Sequence, residues 1–160
     1  MNDQRDDDKR RENSDSTALD TFYTELGQTY QSIAESAQPP IAKLGLFATR
    51  SLQLFETRQD HFAENPETMI GPFTGNHHSW LSIQCALFAE TIGNAVTEGK
   101  LRPIDTERAG MLFLNAIFGL MLRRVHLDVA ENIEDDVRGL IDIFLNGLTR
   151  SRIPVPVKPA

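Results

Sequence analysis

Four histidines (61, 77, 78 and 126), one cysteine and 23 carboxylates are the groups in this chain able to ligate a metal, attack an electrophile or carry a proton. Their spacing suits none of these tasks. His77 and His78 are adjacent, so at a helix start they point in different directions, and no His-x-x-x-His or Glu-x-x-His pair sets two ligands on one face. Cys85 stands alone, which excludes an intrachain disulfide and a multi-cysteine metal site and reads as a small core residue. Gly71-Pro72-Phe73-Thr74-Gly75 lacks the lysine and the strand-to-helix setting of a phosphate-cradling loop. Ser, His and Asp are all present, but no nucleophile has a base and an orienting group at a converging spacing. The sequence therefore predicts no catalytic residue, no metal and no cofactor: a binding protein rather than an enzyme.

What remains chemically informative is a set of aromatic and amide side chains at helical spacing. Trp80, Gln84, Leu87, Phe88 and Thr91 fall near one face of a helix predicted over 77–98, so that two polar groups sit among aromatic and aliphatic ones. Apolar walls with a few orienting hydrogen-bond groups make a small-molecule cleft. Phe55, Met69 and Phe113 from facing helices would complete its lining. For any single aromatic in such a stripe, ordinary core packing is the favoured reading, and the cleft is read from the group as a whole. Asn115 interrupts the apolar run 109–122, and a buried amide without partners costs roughly 1–3 kcal/mol. It can bond a ligand, pair across a dimer axis and fix register, or bond a neighbouring backbone carbonyl; all three stay open.

The elements that must position these residues are helices. With 160 residues the chain suits one domain with a sizeable core. Residues 1–16 mix both charge signs without apolar periodicity and are expected to form a disordered charged tail. A first helix is predicted from Ser16 or Thr17 to about Ser36, carrying Leu19, Phe22, Tyr23, Leu26, Tyr30 and Ile33 at steps of three and four. Pro40 suits the opening turn of a second, predicted to about residue 64, with Leu44, Leu52, Phe55 and Phe62 in its stripe. Asn65-Pro66-Glu67 opens a short helix to about Ile70, and residues 71–76 form a loop. After the helix over 77–98, stopped by Gly99, Asp105 caps another that reaches about His126, and Asn132 caps the last, to about Arg150. Residues 151–160 are a proline-rich tail.

A formal charge of -7 disfavours a nucleic-acid surface, and Arg123-Arg124 is explained by a helix C-terminus, where cations offset the macrodipole. The longest apolar stretch, 109–122, is shorter than the roughly 18 residues of a membrane span, and no apolar leader precedes it. No direct nucleic-acid or membrane contact is expected, and the location expected is cytoplasmic. That stretch is apolar nearly all round, so one subunit should not cover every side of it. Ala109, Ala116 and Gly119 would permit close helix approach, with Leu112 beside them, while Leu140, Ile141, Phe144 and Leu148 would supply knobs from the last helix. A homodimer with a four-helix interface is the expected assembly.

This helix order, with Glu64-Asn65-Pro66-Glu67 before the short helix and Glu98-Gly99-Lys100-Leu101-Arg102 between the long ones, resembles the C-terminal region of the tetracycline-repressor (TetR) family of bacterial transcription regulators. The likeness covers roughly residues 17–150. It implies an all-α bundle of about six helices that dimerises through the last two and encloses a small apolar or aromatic effector. Members of that family begin with a three-helix DNA-binding head, whereas only the charged tail precedes Thr17. The resemblance thus implies an effector domain without its own head, whether by design, by truncation or as a partner for a complete regulator. A structural dimerisation module with no ligand is the alternative.

Overall fold

The computed structural model describes residues 3–64, 78–127 and 132–147, with side chains over 18–64, 79–126 and 132–147. Six helices make up these residues, and no strand occurs among them: α1 (Asp3–Glu35), α2 (Pro40–Glu56), α3 (Gln59–Glu64), α4 (His78–Thr97), α5 (Thr106–Leu127) and α6 (Ile133–Gly147). The fold is the expected all-α one. The predicted short helix at 65–70 with Met69, the loop after it, Leu148 and the proline-rich tail lie outside the described residues.

Local sequence explains most of the boundaries. At the end of α1, Lys43 donates its ammonium to the Ala34 carbonyl at 2.6 Å, and Pro40 opens α2 at the position where its missing N–H costs nothing. Gly99, at φ 69°, stops α4 with two bonds that close the end of the helix, Gly99 N–H to Val96 O at 3.0 Å and Lys100 N–H to Ala95 O at 2.9 Å. Leu101 then turns inward and is buried. Asp105 accepts the Arg108 N–H at 3.0 Å and Asn132 accepts the Glu134 N–H at 3.1 Å, so both expected caps are in place.

Two boundaries differ from expectation. The backbone of α1 is helical from Asp3, upstream of the predicted start, across the stretch expected to be disordered. No glycine or proline occurs before Gly27, and extending an existing helix costs far less than nucleating one. The second helix, predicted to continue to about residue 64, ends at Glu56, where the Thr57 hydroxyl donates to Leu54 O and the Arg58 N–H to Phe55 O in a tighter turn. A continuous helix would hold Phe55 and Phe62 about 10 Å apart. The break stacks their rings at 5.3 Å.

The core is aromatic. Phe47 stacks on Phe88 at 4.4 Å, and Tyr30 meets both edge-on at 5.4 and 5.0 Å. Tyr30 and Ser51 share a hydrogen bond of 2.6 Å and the Ser51 hydroxyl donates to Phe47 O, so two buried hydroxyls are satisfied in series. Among the described residues the α4–α5 contact is the most extensive, whereas α6 packs more on α2 than on α5. A Cβ at Gly110 would lie 2.7 Å from Ala89 N and 3.0 Å from Cys85 O, so glycine is what lets α5 approach the α4 backbone.

Candidate functional site

Of the residues expected to line an effector cleft, Phe55, Gln84, Phe88, Thr91 and Phe113 lie in the interior. Phe55, Phe88 and Phe113 are fully buried, and Gln84 and Thr91 nearly so. Trp80 is half-buried and donates its indole N–H to Tyr23 O at 2.9 Å. Thr91 bonds its own helix at Leu87 O, 3.0 Å away. The Phe88 ring touches Phe47, Tyr30 and Phe113, the last at 5.8 Å. These side chains fill the space between α2 and α4 with one another, and a ligand lodged there would have to displace rings.

Asn115 is the exception. It is exposed on the outer side of α5, away from the aromatic wall, so its placement in the effector lining is corrected. The reason is that α5, though apolar on nearly every side, is covered on one side only. Its inward face carries Phe113, Leu114, Ile117, Phe118 and Met121, and its outward face Met111, Leu112, Asn115 and Gly119.

The expected self-association residues divide in the same way. Leu112 and Gly119 are exposed and Ala116 half-buried, while Ala109 is buried in the chain's own core. Leu140, Ile141 and Phe144 are half-buried against that core, Phe144 meeting Phe113 edge-on at 4.8 Å. An apolar group not singled out in the sequence, Ile143, is 73% exposed. Between α5 and α6 an open cleft of about 310 Å³ is lined by Ile104, Ala109, Leu112, Ile143 and Phe144, with Asp105 and Arg108 at its edge. A second, of about 430 Å³, lies on the other side of α5 between Leu81, Cys85 and Met111. The outer face of α5 is thus a ridge with a groove on each side.

No family model and no curated protein matches the chain. Among solved structures, a Clostridium perfringens "putative fatty acid metabolism regulator" is similar over 85% of this chain and 75% of that one, with a TM-score of 0.59 and 12% identity. The likeness is one of fold. It aligns the helical bundle of this chain with that of a regulator.

The remaining candidates for chemistry stay scattered. Among the described residues no three His, Cys, Asp or Glu side chains gather to hold a metal ion. His61 lies beside Phe62 and His126 is exposed at the end of α5. Burial pushes the Cys85 thiol up from its ordinary value, which lowers its thiolate fraction and its reactivity. No helix among the described residues is long and apolar enough to cross a membrane.

Sequence reasoning missed Arg124. Assigned to helix-end electrostatics, it is buried, and its guanidinium reaches Asp136 Oδ2 at 2.7 and 3.1 Å and Glu56 Oε1 at 2.8 Å. It ties the ends of α2 and α5 to the start of α6. Asp136, in the first turn of α6, is turned inward, its side chain only 7% exposed. A signal existed: Ile117, Met121 and Arg124 follow steps of four and three, so the arginine continues the buried stripe.

Proposed function

We infer that this chain is the effector and dimerisation domain of a transcription regulator, pairing with a second copy of itself through the outer faces of α5 and α6. One observation carries the reading: Leu112 on α5 and Ile143 on α6, exposed by 55% and 73%, line the same apolar cleft, and Met111, 43% exposed, stands next to Leu112. Large apolar side chains grouped on a surface mark an association site, and each leaves water when a second copy covers it. The fold shared with a regulator supports the same assignment. Nothing in it calls for catalysis, and a binding role is proposed. Any signal to DNA would pass through the assembly.

Sedimentation or light scattering at micromolar concentration is the direct test. The wild type should run as a dimer and a Leu112→Lys, Ile143→Lys double variant as a monomer, since both lysines place charge where apolar contact is required. A monomeric wild type removes the reading.

A ligand is the second element of the proposal: the buried Gln84 amide is the polar group it would meet, and it would enter by displacing the rings that fill the interior. The similar structure's description concerns fatty acid metabolism, and a mostly apolar effector with one polar end suits such a lining. A thermal-shift series with fatty acids of graded length and with aromatic acids tests it, because a ligand selective for the folded state raises Tm. If no compound shifts Tm while the dimer stands, the chain is a structural module that partners a complete regulator.

A further inference from the structure

The geometry points to Asn115 as the residue on the two-fold axis of this dimer, paired with its own copy while the two α5 helices run antiparallel. The inference rests on the self-association reading and adds its register. Exposed residues recur at every fourth position along α5: Glu107, Met111, Asn115, Gly119 and Arg123. Such a row forms one ridge that winds by about 40° per step, so it is inclined to the axis and two copies bring their ridges together where the helices cross at roughly −50°. Its chemistry is ordered about the middle residue, with a carboxylate and a guanidinium at the two ends, a long side chain and no side chain at the intermediate positions, and an amide at the centre.

A two-fold axis through Asn115 sets each residue against the one equally far beyond the centre on the second copy. Met111 then faces Gly119, where a Cβ would meet nothing within 4 Å, so the long side chain enters open space. Glu107 faces Arg123, which pairs with Asp136 at 3.3 Å within its own chain yet keeps its side chain 41% exposed, and the charges are opposite at both ends. The parallel arrangement fails on both counts, because Glu107 meets Glu107, Arg123 meets Arg123, and two glycines leave a gap. Only a residue on the axis meets itself. A carboxamide is one of the few side chains suited to that, since it offers a donor and an acceptor and two copies can exchange both. A single amide at the centre of the seam also disfavours slipped registers, which would leave it unpaired.

Charge reversal across the axis tests the assignment. Asn115→Asp and Asn115→Lys are made separately; the position is exposed, so both variants should keep the wild-type far-UV spectrum. Alone, each should dimerise about tenfold or more weakly than the wild type, because like charges meet on the axis. Mixed in equal amounts they should recover dimerisation to within a few-fold of wild type, measured by sedimentation. A residue with only a structural role gives no such recovery. In a Cys85→Ala background, Asn115→Cys should also form a disulfide-linked dimer under mild oxidation. If the wild type is dimeric but the mixture does not recover, the axis lies elsewhere and the inference falls while the association reading stands. If the wild type is monomeric, the ridge serves a different partner and both fall.

Discussion

Gly110 and Gly45 show how the same substitution takes opposite signs in one protein. At Gly110 an added methyl meets the α4 backbone, which cannot rotate away, so Gly110→Ala should destabilise the fold by about 1–3 kcal/mol through forced separation of α4 and α5. At Gly45, within α2, nothing lies within 4 Å of the new carbon, and alanine restricts the unfolded chain, so Gly45→Ala should stabilise by about 0.5–1 kcal/mol. Urea midpoints of the two variants check both. Arg124 is the other residue with a large expected effect. Arg124→Met leaves the buried Asp136 carboxylate with Arg123 alone, 3.3 Å away, and loss of about 3 kcal/mol is expected. Adding Asp136→Leu should recover much of it, because the poorly compensated buried charge rather than the lost attraction dominates; a double-mutant cycle measures this.

Between α4 and α5 the chain reverses over a few residues, and the direction of α5 is set there. Gly99 supplies the left-handed φ of 69°, Leu101 anchors the turn in the core, and Asp105 caps the next helix. Gly99→Ala should cost about 1–2 kcal/mol, since a Cβ is strained in that conformation whatever the space around it. Asp105→Ala should cost about 1 kcal/mol through the lost cap. Thermal melts of the single variants check both values, and neither should alter the far-UV spectrum at low temperature. The other end of α5 is held differently, by the Arg124 ion pairs to α2 and α6. Because α6 has little direct contact with α5, those pairs align the two helices that form the outer face.

Taken together, the helices enclose a core in which Tyr30 and Tyr23 are almost wholly buried. Burial raises both phenol pKa values above the ordinary 10.0. Below about pH 10 the phenols are protonated in folded and unfolded chains alike, and their contribution to stability is constant. Above it the unfolded chain releases protons that the folded one retains, so stability should fall as pH rises. Denaturant midpoints should hold from pH 8 to about 10 and decline above it, with tyrosinate absorbance appearing only as the chain unfolds. Association makes a separate demand on the whole molecule. If folding and dimerisation are coupled, Tm should rise with protein concentration in the wild type and not in the Leu112→Lys, Ile143→Lys variant.

The sequence by itself determined the all-helical class, the order of the long helices and the caps at Asp105, Asn132 and Gly99. These are local properties: apolar periodicity and end groups act within a turn or two, and a reader of the chain has all the atoms involved. It also placed Phe55, Gln84, Phe88 and Thr91 in the interior, since each lies on the apolar stripe of α2 or α4. The tertiary structure alone decided which side of α5 is covered. On a helix apolar nearly all round, periodicity cannot choose a face, and the choice falls to close packing of Gly110 on α4 and to the seating of α6 on α2. That choice turned Asn115 outward and Arg124 inward. It also broke the second helix at Thr57, where stacking Phe55 on Phe62 outweighs continuing a run that no local signal interrupts.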